Sequence, residues 1–348
     1  MKTIVRTALA ASIALALTAC HNDSKTTTPD PDPIPVVPTE LDISGGAVKG
    51  VLALATVNVY AASDTEKTTV LATAQTDASG DYTVKVVDDT GAAITGAFIV
   101  EVVADTDTTM ICDATLCGEI TFGNPIATDT LLGLTLSTVA YSDGSAIDAD
   151  VNSLTTMATD SILASASIAG SPLDLATITA EDFLAIQEDA SEIVGAVLGV
   201  DLSETNLFSL NIVDASNTSE VSTEDETLAT LTLINASLSS LEVADGSSLA
   251  DEINEYLAAV EEVTVAILAD PEADLGSGDT AAALATINET QAQIADEIDA
   301  IAAEIVADTG IAIPVAEVPT ELDEDALGDI VGDIIDGTGG TGGTGGEG

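Results

Sequence analysis

The sequence predicts an α+β protein in which an N-terminal β-sandwich is followed by an α-helical bundle. Short runs of alternating apolar and polar residues, separated by turn residues, extend over residues 41–142. Apolar residues at helical spacing dominate over residues 150–313. Hydrophobic residues make up 46% of the 348-residue chain, which is enough to bury one or two cores despite a formal net charge of -54.

The first residues have the pattern of an export signal. Lys2 and Arg6 precede an apolar run over residues 8–17, which is too short to span a membrane and is typical of a signal peptide. The run ends in Leu17-Thr18-Ala19-Cys20, which resembles the bacterial lipobox. The resemblance implies that residues 1–19 are a lipoprotein signal peptide and that Cys20 carries fatty acyl chains such as palmitate. The alternative is an ordinary signal peptide that is cleaved elsewhere.

The position after Cys20 and the segment that follows predict where the protein is anchored. His21, in place of Asp, resembles the sorting pattern of outer-membrane lipoproteins and implies a lipid-anchored protein of the cell outer membrane, periplasmic or surface-exposed. Residues 20–40 are polar and contain five prolines, so we expect an extended tether. Two or three acyl chains give a stable membrane anchor, whereas one is marginal.

Four segments carry the strand pattern of the predicted β-sandwich. Residues 56–60 and 81–86 alternate with period two, and residues 77–80 between them have turn chemistry. Residues 97–103 are apolar on both parities apart from Glu101, which predicts a central strand. Residues 130–141 predict a further strand.

Three of these sequence blocks together resemble a known domain family. They are Ser44-Gly45-Gly46-Ala47-Val48-Lys49-Gly50, Ala55-Thr56-Val57-Asn58-Val59-Tyr60 and Thr76-Asp77-Ala78-Ser79-Gly80-Asp81-Tyr82-Thr83. Their order is similar to that of carboxypeptidase regulatory-like domains. The resemblance implies a transthyretin-like β-sandwich that serves as a non-catalytic folding or binding module of secreted and surface proteins.

Cys112 and Cys117 are separated by four residues in a chain predicted to be exported. This context favours a local disulfide bond. A redox pair or half of a metal site are the alternatives, but redox pairs usually enclose two residues and a zinc site needs further ligands.

The second half of the chain carries helix patterns with start and stop signals. Capping residues precede apolar runs at Thr179, at Thr223 with Glu226, and at Ser248 with Asp251. We expect the first of these helices to end at Gly199 and the third before Pro271, while the second carries an apolar stripe from Leu228 to Leu241. We also expect an earlier helix over residues 154–165 and a long helix from about Asp279 to Gly310.

The long helix contains an apolar stripe at heptad spacing, interrupted by one Gln. The stripe consists of Leu284, Ile287, Gln291, Ile294, Ile298, Ile301 and Ile305. It indicates either the core of the bundle or a coiled-coil contact with a partner. Residues 314–348 form an acidic, Gly-rich tail. We expect its short amphipathic stretch from Leu327 to Ile335 to dock on the bundle or to bind a partner. Residues 333–348 are predicted to be disordered.

The distribution of charge excludes several classes of function. The chain has 60 acidic and six basic residues, the last basic residue is Lys85, and His21 is the single histidine. A nucleic-acid surface needs clustered cations, and phosphorylated substrates need a basic clamp, so neither is expected. Histidine acid–base catalysis is excluded for the body of the protein. Such an acidic chain suits a saline medium, which indicates a marine or halophilic bacterium.

Two acidic clusters in presumed loops are candidate calcium ligands. They consist of Asp105 and Asp107, and of Asp143, Asp148 and Asp150. Carboxylate oxygens at close spacing suit Ca²⁺, although neither cluster has the EF-hand spacing and a solvated acidic face is the alternative. We expect no other cofactor.

These observations predict a non-catalytic envelope lipoprotein that acts in binding, adhesion or scaffolding at the bacterial surface. Its membrane contact is the N-terminal lipid, and the expected partner is an envelope protein. The alternative is a carrier of an apolar ligand, lipid or hydrocarbon, that works with an outer-membrane transporter. A hydrolase that uses carboxylates alone is the third hypothesis.

Overall fold

A computed structural model describes residues 37–168, 171, 173–278 and 280–338 of the chain. The predicted signal peptide, Cys20 and His21, nearly all of the predicted tether, and the last ten residues lie outside the described residues. Strands precede helices along the described chain, and the α+β class is confirmed. The first strand begins at Thr39, just inside the end of the predicted tether.

The strands of the described chain lie between Thr39 and Asn152. They are β1 (Thr39–Val48), β2 (Thr56–Ala61), β3 (Ala72–Gln75), β4 (Asp81–Asp88), β5 (Gly96–Val103), β6 (Met110–Ile111), β7 (Leu116–Cys117), β8 (Ile120–Thr121), β9 (Pro125–Ile126), β10 (Thr135–Ser142), β11 (Ile147–Asp148) and β12 (Val151–Asn152). The predicted segments 56–60, 81–86 and 97–103 are confirmed as β2, β4 and β5.

The first sheet is organised around β1. Strand β4 pairs with β1 antiparallel over its whole length, while the short strands β11 and β12 pair parallel to the other edge of β1. In β4 the alternation is visible in burial, since Tyr82, Val84 and Val86 are buried and the residues between them are exposed. One face of this strand therefore contributes to the core.

The second sheet has the antiparallel order β10-β5-β2-β3. Strand β5 lies inside this sheet and is buried on both faces from Ala97 to Val102, as its continuous apolar sequence predicts. The predicted strand 130–141 begins later than expected, at Thr135. Residues Thr128–Thr130 form a 3₁₀ turn instead, and Gly133 takes a left-handed φ of 88°.

The helices of the described chain follow the strands. They are α1 (Ser153–Ser167), α2 (Ala180–Leu198), α3 (Glu226–Ser237), α4 (Leu249–Ala269), α5 (Thr280–Thr309) and α6 (Glu324–Thr338). The local start signals are confirmed for α2, capped by Thr179, and for α4, capped by Ser248 with Asp251. The predicted stop at Gly199 is also confirmed, with a left-handed φ of 68°.

Two predicted boundaries in this half are wrong. Helix α3 is capped by Asp225 and not by Thr223, since Asp225 Oδ1 accepts the Leu228 N–H at 2.9 Å. Both residues are of types that cap helices, and the structure uses the later one. Residues 333–338 are helical and not disordered, because α6 continues through them and Ile334 packs against the core. The rest of the predicted disordered tail lies outside the described residues.

The apolar stripe of α5 is buried along its whole length. Leu284, the most exposed of its seven residues, is 8% exposed, and α5 packs against α3 and α4. Gln291 donates its Nε2 proton to the Val197 carbonyl near the end of α2, where helical carbonyls lack intrahelical partners. The core interpretation of the stripe is therefore confirmed. Helix α6 packs on α2 and α4 through the buried Leu327 and Val331, as predicted for the amphipathic stretch.

Helix side chains also bind backbone groups of β10 and of the residues just before it. The Ser137 N–H donates to Thr156 Oγ1 at 2.9 Å, and Gln187 Nε2 donates to the Val139 carbonyl at 3.2 Å. Asn254 Nδ2 donates to the Gly133 carbonyl at 2.9 Å. These bonds satisfy backbone groups that would otherwise lack a hydrogen-bond partner. The apolar side chains of the strands and helices form one continuous core within the compact unit that begins at Val37.

Candidate functional site

An open cleft with aromatic walls lies where β10 and β11 meet the start of α2. Its volume is about 360 Å³. We call it the aromatic cleft and define it by Tyr141, Phe183, Leu184, Gln187 and Phe208. The chain has only four Tyr, four Phe and no Trp, so the cleft collects three of its few aromatic rings. This concentration of aromatic and polar groups makes it a candidate binding surface.

The first turn of α2 shapes the aromatic cleft. The Thr179 hydroxyl accepts the Asp182 N–H at 3.2 Å and fixes where the helix begins. Phe183 then lies 3% exposed, with its ring centroid 5.6 Å from that of Tyr141, while the next residue, Leu184, is 49% exposed. The start of α2 therefore places a buried aromatic ring next to an accessible apolar side chain.

Polar groups in the aromatic cleft are held in fixed positions. Gln187 is tied to the Val139 carbonyl, and Asn206 Oδ1 accepts the Phe208 N–H at 2.9 Å, which orders the 3₁₀ turn Leu207–Ser209. Asp148, one of the predicted calcium ligands, is exposed at the rim. The cleft thus offers apolar contacts beside a few fixed hydrogen-bonding groups and a negative edge.

A second open cleft, of about 470 Å³, lies between α1, α4 and the loop before β3. We call it the acidic cleft and define it by Glu66, Lys67, Asp160, Glu261 and Val265. Lys67 has a left-handed φ of 50° and forms an ion pair with Glu101 of β5. The positive charge of this cleft is therefore already engaged by a carboxylate of the protein itself.

Asp160 has an altered acidity in the acidic cleft. Burial raises the pKa of Asp160 to about 7, and the negative charge of Glu261 adds to the rise, while Lys67 opposes it. A carboxyl group that titrates near neutral pH can exchange protons, although structural carboxyl groups share this property. Sequence reasoning did not identify Asp160, because nothing in its local sequence indicates which carboxylates are desolvated.

A third cluster is buried between β1, the disulfide loop and the end of α3. We call it the Lys49 cluster and define it by Lys49, Asp113, Asp214 and Ser239. Lys49 and Asp113 are 0% and 1% exposed, and Lys49 Nζ lies 3.5 Å from Asp113 Oδ2. No sequence pattern predicted this cluster; the one available signal was a lone lysine in the apolar and glycine-rich segment 45–52. Its burial separates it from external ligands.

The predicted disulfide bond is confirmed. The sulfur atoms of Cys112 and Cys117 are 2.05 Å apart and their Cα atoms are 5.8 Å apart. The enclosed loop is fastened to the long helix α5, because the Thr115 N–H and hydroxyl donate to Glu297 Oε1 at 2.7 and 2.6 Å. The bond therefore fixes the shape of the loop that presents Asp113.

The candidate calcium ligands accept hydrogen bonds from backbone and hydroxyl donors, some in their own turn and some in distant segments. Asp105 accepts the Thr56 hydroxyl at 2.7 Å and the Asp107 N–H at 2.9 Å, and these bonds, the latter first, lower the pKa of Asp105. Asp143 accepts the Ser145 N–H at 3.0 Å, and Asp150 accepts the Gly46 N–H at 2.8 Å. Over residues 37–168, 171, 173–278 and 280–338, no three Asp, Glu, Cys or His side chains are grouped as a metal site would require. Calcium binding stays a prediction.

A membrane-spanning helix needs about 20 predominantly apolar residues, and the helices of the described segments fall short of this requirement. None of them combines the necessary length with the necessary apolar character. The lipid anchor predicted at Cys20 lies outside the described residues.

Comparison with known proteins identifies no relative of this chain. No protein-family model, curated protein or solved structure matches it.

Proposed function

We propose that this protein is a non-catalytic lipoprotein of the bacterial cell envelope, anchored by lipid at Cys20, that binds or scaffolds a partner protein. The observation that carries the proposal is the export signal ending in Leu17-Thr18-Ala19-Cys20. The lipid chains hold the protein at the outer membrane, and the proline-containing segment places the folded part away from the lipid surface.

The folded part is, in this proposal, a transthyretin-like β-sandwich resembling carboxypeptidase regulatory-like domains, followed by a helical domain. Two four-stranded sheets and six helices in the described chain support this arrangement. The glycines of the segment 44–50 support it further, since Gly45 lies in β1 where the backbone of Ala149 approaches closely. A module of this kind provides a rigid platform for binding.

The charge pattern supports binding over catalysis. The chain carries no basic residue after Lys85, and in the acidic cleft the cation is paired with Glu101. Neither cleft presents an unpaired cation to a reacting group among the described residues. The polar groups of both clefts are suited to holding a partner.

The aromatic cleft is the proposed docking surface. Its exposed Leu184 and its aromatic rings suit an apolar side chain of an envelope protein. Because the whole chain is strongly acidic, a partner segment with basic residues next to that apolar side chain is electrostatically favoured. The apolar-ligand carrier is the less supported alternative, since the apolar stripe of α5 is filled by contacts within the chain.

The anchor is tested by Cys20→Ser. Without the thiol no diacylglycerol is attached, so we expect the variant to leave the membrane fraction completely and to lose fatty-acid labelling. The double variant Cys112→Ser/Cys117→Ser keeps Cys20 and is the control that stays in membranes. Continued membrane association and labelling of Cys20→Ser would contradict the proposal.

The docking surface is tested by photo-cross-linking in intact cells. A photoreactive amino acid is placed at Leu184 in the aromatic cleft or at Leu116 in β7; each side chain is 49% exposed, which makes the two positions a matched pair. We expect a discrete protein adduct from position 184 alone, and a lower yield at high salt because the attraction is screened. Equal adducts at both positions, or lipid adducts alone at position 184, would count against a protein partner.

A further inference from the structure

The Lys49 cluster has a geometry suited to a covalent bond within the chain. Lys49 follows β1 directly, and its Nζ lies 3.5 Å from Asp113 Oδ2, 2.5 Å from Ser239 Oγ and 3.3 Å from the Ala236 carbonyl. Lys49 and Asp113 are almost wholly shielded from solvent. The amine therefore lies next to the carboxyl group, and the Ser239 hydroxyl bonds to both of them.

The Asp113 carboxyl group is held rigidly on both oxygens. Oδ2 accepts the Gly50 N–H at 2.7 Å, and Oδ1 accepts the Ser239 hydroxyl at 2.5 Å. Asp113 itself lies in the loop closed by the Cys112–Cys117 disulfide bond. Rotation of the carboxyl group away from Lys49 would break both hydrogen bonds, so its carbon stays presented to the amine.

Burial favours the neutral form of the Lys49 amine, which is the form that attacks a carboxyl carbon. Desolvation lowers the pKa of Lys49, although the charge of Asp113 opposes this. Asp214 is 8% exposed and interacts electrostatically with both Lys49 and Asp113; burial and the Asp113 charge raise the pKa of Asp214. The cluster therefore contains an amine, a carboxyl group, and a hydroxyl group that bonds to both of them.

We propose that Lys49 and Asp113 form an intramolecular isopeptide bond, with the Ser239 hydroxyl, which bonds to both groups, relaying the transferred proton. A proton first passes from the Lys49 ammonium to the Asp113 carboxylate. The neutral Nζ then attacks Asp113 Cγ, the C–N bond forms, and the C–O bond to one carboxyl oxygen breaks. The second proton lost by nitrogen reaches the departing hydroxyl through the Ser239 hydroxyl, so one water leaves and no oxidant or cofactor is consumed.

The bond would join the end of β1 to the disulfide loop, two segments far apart in sequence. It would close a long loop of chain and remove the energetic cost of a buried ion pair. This modification is independent of the lipid anchor and of the aromatic cleft. Its presence or absence is therefore decided separately from the proposed function.

The test is peptide mapping of the purified full-length protein, reduced and denatured before digestion with a protease that cleaves after glutamate. Lys49 lies in fragment 41–66 and Asp113 in fragment 102–119, and the disulfide bond is internal to the second fragment. We expect a single species whose mass is the sum of both fragments less one water. Recovery of the two fragments separately, each at its calculated mass, would overturn the proposal.

Four variants test which residues are needed to form the linked fragment. Lys49→Met and Asp113→Ala are expected to yield unlinked fragments, and Ser239→Ala is expected to be mostly unlinked because assisted proton transfer contributes about 100-fold or more to a rate. Lys85→Met removes a lysine whose Nζ lies 2.6 Å from Glu40 on the surface, and it should keep the linked species. Linked fragments in Lys49→Met would also refute the assignment. The wild-type measurement decides the question even if a buried variant fails to fold.

Discussion

Gly45→Ala is expected to lower the free energy of unfolding by about 3 kcal/mol, a large effect for the addition of one methyl group. A Cβ atom at Gly45 would lie 2.2 Å from the Ala149 carbonyl oxygen and 2.6 Å from its carbon. Both are backbone atoms, and Ala149 is fixed by its N–H bond to the Ser44 carbonyl at 2.7 Å and by the Tyr82 hydroxyl. The strand or the β11–β12 segment must therefore move.

The neighbouring glycine provides the matched control. A Cβ atom at Gly46 would meet nothing closer than Asp150 Oδ1 at 3.7 Å, an ordinary contact. We expect Gly46→Ala to change the free energy of unfolding by less than about 1 kcal/mol. Urea denaturation followed by circular dichroism measures both values. Equal losses in the two variants would show that backbone contact at Gly45 is not the cause.

Asp160→Asn is expected to raise the free energy of unfolding by about 4 kcal/mol at about pH 8 and to leave it nearly unchanged at about pH 4. In the folded protein the pKa of Asp160 is raised to about 7, so the folded state keeps a proton that the unfolded state releases near pH 4. The contribution of Asp160 to stability therefore falls as the pH rises through this window. Asparagine is uncharged over this whole pH range, so the variant does not lose this free energy of unfolding as the pH rises.

The control for Asp160→Asn is Glu255→Gln, which removes one negative charge from an exposed position on α4. It accounts for the general relief of repulsion in an acidic protein. Chemical denaturation at several pH values compares the slopes of stability against pH. If both variants flatten the slope equally, the effect is one of net charge and not of the acidic cleft, where Glu66, Lys67, Glu101 and Glu261 surround Asp160.

Local patterns predicted the parts of the fold that depend on local interactions. The starts of α2 and α4 were predicted because a capping side chain bonds to backbone groups within the same turn. The period-two alternation of β4 was predicted because one face of that strand is buried. The start of α3 was misplaced because Thr223 and Asp225 are both suitable caps, and in the structure Asp225 makes the capping bond.

The candidate sites were predicted less completely than the elements. The disulfide bond was predicted because its cysteines are close in sequence and loop closure is local. The aromatic cleft was not predicted, since Tyr141, Phe183 and Phe208 are brought together by the packing of α2 beside β10. The residues proposed for calcium binding are near one another in sequence, but several of their oxygens are occupied by backbone and hydroxyl donors.

The sequence by itself determined the acidic character, the α+β class and the position of most helices, because each depends on composition or on interactions within a few residues. Only the tertiary structure decided that Lys49 meets Asp113 and Ser239, the latter 190 positions away, and that Asp160 is desolvated. The physical reason is that burial depends on which distant surfaces pack together. The acidity and reactivity of a buried group follow from that packing, and no local pattern encodes it.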